Sequence, residues 1–107
     1  MARIVIASTA DADAAVILDD LSSKAGGRTA SKYNDLFERL YDRLADYPGS
    51  GPRRSALGPD IRIGIVPPYI VIYQYSEQED IVTVLRIVHG RREITAKLLA
   101  RASQRRD

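Results

Sequence analysis

The chain has 107 residues, of which 45% are hydrophobic and 28% charged, and its net charge is +2. These values are typical of one globular domain and exclude collagen-like and wholly disordered chains. Because the chain has no cysteine and a single histidine, His89, disulfides, iron–sulfur clusters and multi-histidine metal sites are excluded. No apolar stretch reaches the roughly 20 residues of a membrane span. With no signal-peptide pattern either, we expect a cytoplasmic protein without a cofactor.

The charge is unevenly distributed along the chain. Residues 1–84 carry nine Lys/Arg against twelve Asp/Glu, whereas residues 85–107 carry seven Lys/Arg against two Asp/Glu. A basic end on a mildly acidic body indicates an anionic partner that is bound by that end. The alternative is a solvated, frayed tail that begins at about residue 95.

The first half of the chain predicts a strand followed by two helices. Residues 2–7 form a β-branched run typical of a strand. A first helix is predicted between an N-cap at Ser8 or Thr9 and a stop at Gly26-Gly27, and its apolar stripe is Ala14, Leu18, Leu21 and Ala25. A second helix is predicted from near Thr29 to Pro48, and its apolar positions are Ala30, Tyr33, Phe37, Leu40 and Leu44.

The second half predicts three strands joined by short links, at residues 62–66, 69–75 and 81–89. Short links imply an antiparallel meander, and the helix hairpin must cover one face of that sheet. The predicted fold is therefore a single α+β domain over residues 1–107. Its order is β-α-α-β-β-β, with the helices on one face of a small, mainly antiparallel sheet.

Both rows of side chains along the predicted sheet are apolar. In the third strand, the row of Tyr69, Val71 and Tyr73 alternates with Ile70 and Ile72. In the fourth strand, Ile81, Leu85 and Ile87 are placed on one row, and Val82, Val84 and Val88 on the other. Because the chain is too short for a second layer, the uncovered row predicts a partner-binding surface. The alternative is that sheet curvature and the C-terminal tail cover it.

A catalytic site is hard to assemble from these residues. His89 could act as a general base, but a lone histidine at a strand end is more often a hydrogen-bonded surface residue. The arginines are more informative: Arg62, Arg86, Arg91 and Arg92 are predicted to form a basic patch for phosphates or acidic side chains. Because Arg86 lies in an otherwise apolar strand, an ion pair with a helix carboxylate is the alternative for it.

A set of residues between about 3 and 95 occurs in an order that is typical of a known protein family. It consists of Leu44, Pro48, Gly51, Arg53 or Arg54, Leu57, Arg62, residues 69–73 (YIVIY) and residues 85–92 (LRIVHGRR). This set resembles the RelE/ParE superfamily, the toxins of bacterial type II toxin–antitoxin systems. RelE-like toxins cut messenger RNA on the ribosome, whereas ParE-like toxins, known from plasmid stabilisation, inhibit DNA gyrase.

Two departures from the nuclease pattern favour the ParE branch. Ile70 and Gly64 stand where the nucleases tend to carry basic residues, and the ending His-Gly-Arg-Arg is typical of ParE. The resemblance implies a gyrase inhibitor that is not an enzyme and that a small ParD-like antitoxin neutralises in a hetero-oligomer. A RelE-like endoribonuclease, with His89 as its catalytic residue, is one alternative. A family member that only binds its partner is the other.

The resemblance also implies roles for individual residues. Arg62, Ile70 and Ile72 are expected to face away from the helices, towards the antitoxin. The expected target-binding residues are Arg86, His89, Arg91 and Arg92.

Overall fold

One four-stranded mixed sheet and two helices make up the computed structural model, which describes residues 1–91 and 98–99. The elements are β1 (Arg3–Ile6), α1 (Ser8–Ala25), α2 (Gly27–Asp46), a 3₁₀ turn (Ser55–Leu57), β2 (Ile61–Val66), β3 (Tyr69–Ser76) and β4 (Ile81–His89). The predicted α+β fold and its order of elements are confirmed. Of the predicted tail from residue 95, only Leu98 and Leu99, both helical, are among the described residues.

The strand order is β1-β4-β3-β2. The last three strands form the predicted antiparallel meander. The first strand pairs in parallel with β4, from Arg3 opposite Ile81 to Ile6 opposite Val84, a pairing that the sequence did not predict. Because α1 and α2 intervene between these two strands, β1 can lie beside β4 in the same direction.

The two helices form an antiparallel hairpin with a one-residue link, Gly26. Its φ of 93° lies in the region that glycine adopts without strain, which confirms the predicted stop at Gly26. Gly27 was predicted to belong to the same stop but is the first residue of α2. Burial raises the pKa of Tyr41, near the end of α2, to about 12, and the charges of Glu38 and of Asp11, in the first turn of α1, act in the same direction. The start of α1 therefore lies near the end of α2.

The predicted N-cap of α1 is wrong. Ala7 occupies that position without a side-chain cap, and Thr9 is inside the helix. The Thr9 hydroxyl donates to the carbonyl of Leu85 at 2.7 Å, and the Ala7 N–H donates to the carbonyl of Val84 at 2.9 Å. Because the strand runs straight into the helix, these groups bond to β4 instead of capping α1.

The first core lies between the helices and the sheet. The apolar stripe of α2 supplies Phe37, Leu40 and Leu44, all at most 2% exposed, which confirms its predicted orientation. Gly64 leaves room for Leu40, since a Cβ there would lie 3.0 Å from a Leu40 methyl group. The sheet contributes the other large members, which are Val66, Val71, Tyr73, Val82, Val84 and Ile87.

A second core lies on the opposite face of the sheet, where the sequence predicted an uncovered surface. Ile72 is 0% exposed and clusters with Leu57 of the 3₁₀ turn and with Leu98 and Leu99. The prediction of an open apolar face is therefore wrong. The described residues that cover it are Leu57, Leu98 and Leu99, so that the alternative, in which the C-terminal tail covers this face, is confirmed.

A β-bulge in β4 changes which side chains share a face. Ile72 lies opposite Arg86, but Tyr73 lies opposite Val84, so that Leu85 is an extra residue in the ladder. Leu85 consequently joins the second core, whereas Ile87 joins the first. The predicted row that combined these two residues is wrong because strict alternation fails at a bulge.

Candidate functional site

An aromatic cluster marks the end of the sheet where the resemblance placed the target-binding residues. Tyr69 and His89 are cross-strand neighbours, and their rings meet edge to face with centroids 5.9 Å apart. Tyr33 of α2 meets the other side of Tyr69 in the same way at 5.7 Å. The Gly90 N–H donates to the carbonyl of Pro68 at 2.8 Å, which brings the end of β4 against the turn between β2 and β3.

His89 is exposed, and its ring has a defined hydrogen-bonding pattern. The backbone N–H of Arg91 donates to its Nδ1 at 3.1 Å. In the neutral ring, the proton is therefore on Nε2, which makes that nitrogen a donor. Burial, reinforced by Tyr33 and Asp20 and opposed by Lys24, raises the pKa of the Tyr69 hydroxyl, so that it too stays a protonated donor.

A groove of about 400 Å³ opens beside this cluster, between α1 and the end of β4. Its apolar lining includes Val16, which is 70% exposed. The carboxylates of Asp13 and Asp20 lie on its α1 side, and Lys24 pairs with Asp20 at 3.0 Å. The remaining lining residues are Ile17, Tyr69, Ile87, Val88 and His89. A groove with a largely apolar lining suits the side chains of a protein partner better than a phosphate.

Arg86 does not belong to a free basic patch. Its Nε and Nη2 donate to the two carboxylate oxygens of Asp13, at 2.7 and 3.1 Å, and its Nη1 donates to the carbonyl of Leu98 at 3.1 Å. The Ile87 N–H donates to the same Asp13 carboxylate at 2.9 Å. The helix carboxylate that was the alternative for Arg86 is therefore Asp13, and the structure gives Arg86 an internal partner.

Arg62 faces the side of the sheet opposite to the one expected. It lies directly across from Tyr73, whose side chain is in the first core, and residues directly opposite in a ladder share a face. Its Nη1 donates to the carbonyls of Gly49 and Gly51, at 3.0 and 2.8 Å. The expectation that Arg62 lies with Ile70 and Ile72 is wrong, because one residue of register along β2 reverses the face.

Ile70 and Ile72 do face away from the helices, as the resemblance implied. Ile72, however, has no exposed surface under the C-terminal leucines, and Ile70 is half-buried against the same cluster. Ile72 is therefore not available to a partner in this arrangement of the chain. Of the expected target-binding set, His89 and Arg91 are exposed, and Arg92 lies outside the described residues.

Asp13 is the site residue that the sequence reasoning missed. It is three residues from the buried Ala10 and four from Ile17, which packs against the first core. At that spacing a side chain lies on the sheet-facing side of a helix. Combined with an arginine in an apolar strand, this position was a usable signal for the ion pair.

In residues 1–91 and 98–99, no three His, Cys, Asp or Glu side chains are grouped so as to hold a metal ion. The same part of the chain has no helix that is both long and apolar enough to cross a membrane.

Comparisons with known proteins agree with this fold. The family model described as the ParE toxin of the type II toxin–antitoxin system parDE matches residues 4–94. Toxin ParE3 of Caulobacter vibrioides is 30% identical over 98 residues, which are 92% of this chain and 96% of that protein.

Two solved structures have the same fold. One is described as the chromosomal ParDE system from P. aeruginosa, with a TM-score of 0.68, 22% identity, and coverage of 83% of this chain and 96% of that chain. The other is the toxin–antitoxin complex RelBE2 from Mycobacterium tuberculosis, with a TM-score of 0.57, 19% identity, and coverage of 82% and 90%.

A helix hairpin on one face of a four-stranded sheet is the fold of the RelE/ParE class of toxins. Within that class, the chain belongs to the ParE toxin family of type II toxin–antitoxin systems. The predicted superfamily and its ParE branch are both confirmed.

Proposed function

We propose that this ParE-family toxin inhibits DNA gyrase in the cytoplasm by binding it as a protein, and that a ParD-like antitoxin neutralises it in a hetero-oligomer. The observation that carries the proposal is the groove beside His89. Exposed Val16 and the Tyr69 ring offer apolar contact to a protein surface, and the Tyr69 hydroxyl and His89 Nε2 offer hydrogen-bond donors. Arg91 adds an exposed cation at the same end of the sheet.

The arrangement of the cations argues against the ribonuclease alternative. Cleavage at a 2′-hydroxyl needs a base and cations around one phosphate. Arg62 and Arg86 instead bond to carbonyls and a carboxylate of their own chain. Arg62 lies opposite Tyr73 and His89 opposite Tyr69, four residues apart along β3. That separation is about 13 Å at the usual rise of a strand, too far for both to act on one phosphate.

His89 also presents the wrong group for a general base. Its Nδ1 accepts the Arg91 N–H, so that the outward Nε2 of the neutral ring carries a proton and acts as a donor. We assign His89 and Arg91 to target binding, together with Arg92.

Among the described residues, no strand pairs with the outer edge of β2, and we infer that the antitoxin reaches the sheet there. Ile65 is 49% exposed, and it lies opposite the half-buried Ile70 on the face away from the helices. We assign this pair to antitoxin contact in place of Ile72. A ligand that binds only the folded chain stabilises it by about 2.7 kcal/mol at a hundredfold excess over its dissociation constant. The antitoxin should therefore raise the melting temperature, and no shift at saturation would contradict antitoxin binding.

The decisive experiment compares the two activities with the same purified chain. We expect loss of supercoiling by DNA gyrase, and no cleavage of messenger RNA on programmed ribosomes. His89→Ala should reduce the gyrase effect modestly and create no cleavage. Cleavage that His89→Ala abolishes would establish the ribonuclease instead. Neither activity, with antitoxin binding intact, would establish a family member that only binds its partner.

A further inference from the structure

The ion pair between Asp13 and Arg86 joins three parts of the molecule that are distant in sequence. Asp13 is on α1, Arg86 is in β4, and the third N–H group of the Arg86 fork donates to the carbonyl of Leu98. The two charged side chains are only 15% and 18% exposed. A guanidinium held by both oxygens of a carboxylate has a fixed plane, and here that plane directs Nη1 at the C-terminal segment.

The bond from Arg86 to the Leu98 carbonyl gives the second core a directional contact. Leu98 and Leu99 are buried against the sheet, but apolar burial has no direction and does not by itself fix the position of a backbone. The bond from Arg86 to the Leu98 carbonyl is directional. Among the described residues, it is the polar contact that ties Leu98 to the rest of the fold.

The position of Asp13 follows from the short length of β1, which leaves the end of β4 beside α1. β1 pairs with β4 only as far as Val84, and beyond that point α1 runs beside the strand. Its Thr9 hydroxyl bonds to the Leu85 carbonyl, and its Asp13 carboxylate accepts the Ile87 N–H. The Asp13 carboxylate therefore accepts a backbone N–H at the edge of β4 and at the same time orients the Arg86 guanidinium.

We propose that Asp13 is a positioning residue that, through Arg86, anchors the C-terminal segment at Leu98 and thereby sets how Arg91 is presented to the target. Arg91 lies between the two anchored residues, Arg86 and Leu98, in the sequence. Fixing a residue on each side of Arg91 restricts the positions that its guanidinium adopts. The anchoring part of this proposal stands on the structure, whereas the part about the target rests on the proposed function.

The test of the anchoring replaces Asp13 with asparagine, which keeps the shape and an acceptor for the Ile87 N–H. We expect at least about tenfold faster hydrogen exchange in the peptide that contains Leu98 and Leu99, because a neutral side chain holds the guanidinium less firmly. Asp19→Asn, an exposed aspartate on the same helix, is the matched control and should leave that exchange unchanged. Unchanged exchange in Asp13→Asn would overturn the anchoring.

A second variant tests the anchoring independently in case Asp13→Asn does not fold. Arg86→Lys keeps the charge but cannot donate to Asp13 and Leu98 in one rigid fork, so the same peptide should again exchange faster. Because the chain has no cysteine, Leu99→Cys gives a unique thiol whose labelling rate reports the same opening. Labelling should be slow with Asp13 present and about tenfold faster in the Asp13→Asn background, and equal rates would count against the anchoring.

Growth inhibition then tests the link to the target. If the exchange rises and toxicity falls while antitoxin binding persists, both parts of the proposal hold. Faster exchange with full toxicity would overturn the role in presentation and leave the gyrase proposal intact. If the parent chain does not inhibit gyrase, the proposed function fails, while the exchange data still decide whether Asp13 anchors the segment.

Discussion

The two faces of the sheet are covered in very different ways. On one face, α1 and α2 together supply 38 residues, and α2 places a regular apolar stripe against Val71 and Tyr73. On the other, Leu57, Leu98 and Leu99 from two short segments cover Ile72 and its neighbours. Among the described residues, only the first face is covered by long elements with their own hydrogen-bonded backbone. Those that cover the second face are few and depend on the Arg86 contact, so that this face should open more readily.

Leu40→Ala should show the largest loss of stability, roughly 2–5 kcal/mol, because it empties the centre of the first core. Leu40 is 2% exposed and fills the space over Gly64. The free energy of unfolding from urea denaturation measures the loss. A change below about 0.5 kcal/mol would mean that the helix-covered face is not the main source of stability.

Tyr73→Phe should cost roughly 1–3 kcal/mol, since it leaves two buried backbone groups without a partner. The Tyr73 hydroxyl accepts from the Gly51 N–H and donates to the Pro48 carbonyl, both at 3.0 Å. Tyr75→Phe is the matched control, because the Tyr75 hydroxyl donates to the exposed Asp80 carboxylate, and its denaturation curve should hardly move. Equal effects of the two variants would show that the first core tolerates unpaired polar groups.

Leu99→Ala should cost less than Leu40→Ala, about 1–2 kcal/mol, although both leucines are at most 4% exposed. The reason is that the C-terminal segment can detach locally, which limits the loss to the free energy of that opening. Hydrogen exchange should show faster opening in the C-terminal peptide and little change in α2. A loss as large as that of Leu40→Ala, with exchange accelerated everywhere, would make the two faces equivalent.

Replacing both Arg91 and Arg92 with alanine should have the smallest effect on stability, within about 0.5 kcal/mol, as is usual for surface positions. Arg91 is exposed. The effect on function should be large, because a charge-assisted contact with the target is lost. The double variant should stay folded, bind the antitoxin, and lose most growth inhibition. Full toxicity would show that this basic end is only a solvated tail.

Much of the fold follows from local patterns in the sequence. The spacing of Phe37, Leu40 and Leu44 predicted both α2 and its buried side, and Gly26 predicted the hairpin turn. The strands at 62–66, 69–75 and 81–89 lie within one residue of the observed bounds. These features succeed because helix periodicity, glycine conformation and short antiparallel links are properties of neighbouring residues.

Only part of the candidate site could be predicted from the sequence. The order of residues up to His89 and Arg91 indicated the family and the end of the sheet that matters. The face expected for Arg62 was wrong, and so was the placement of Leu85 and Ile87 on one row, because a face assignment along a strand fails after any shift of register.

The sequence by itself therefore determined the elements, their order and the ParE family, since these depend on spacing along the chain. Only the tertiary structure decided that β1 lies parallel to β4, that Leu85 bulges, and that Leu98 and Leu99 cover the second face. It also decided that Asp13, 73 residues from Arg86, holds that arginine. Each of these is an interaction between segments that are distant in sequence. The residues that take part are decided by which polar and apolar groups the folded sheet leaves without a partner. A local pattern of residues does not contain that information.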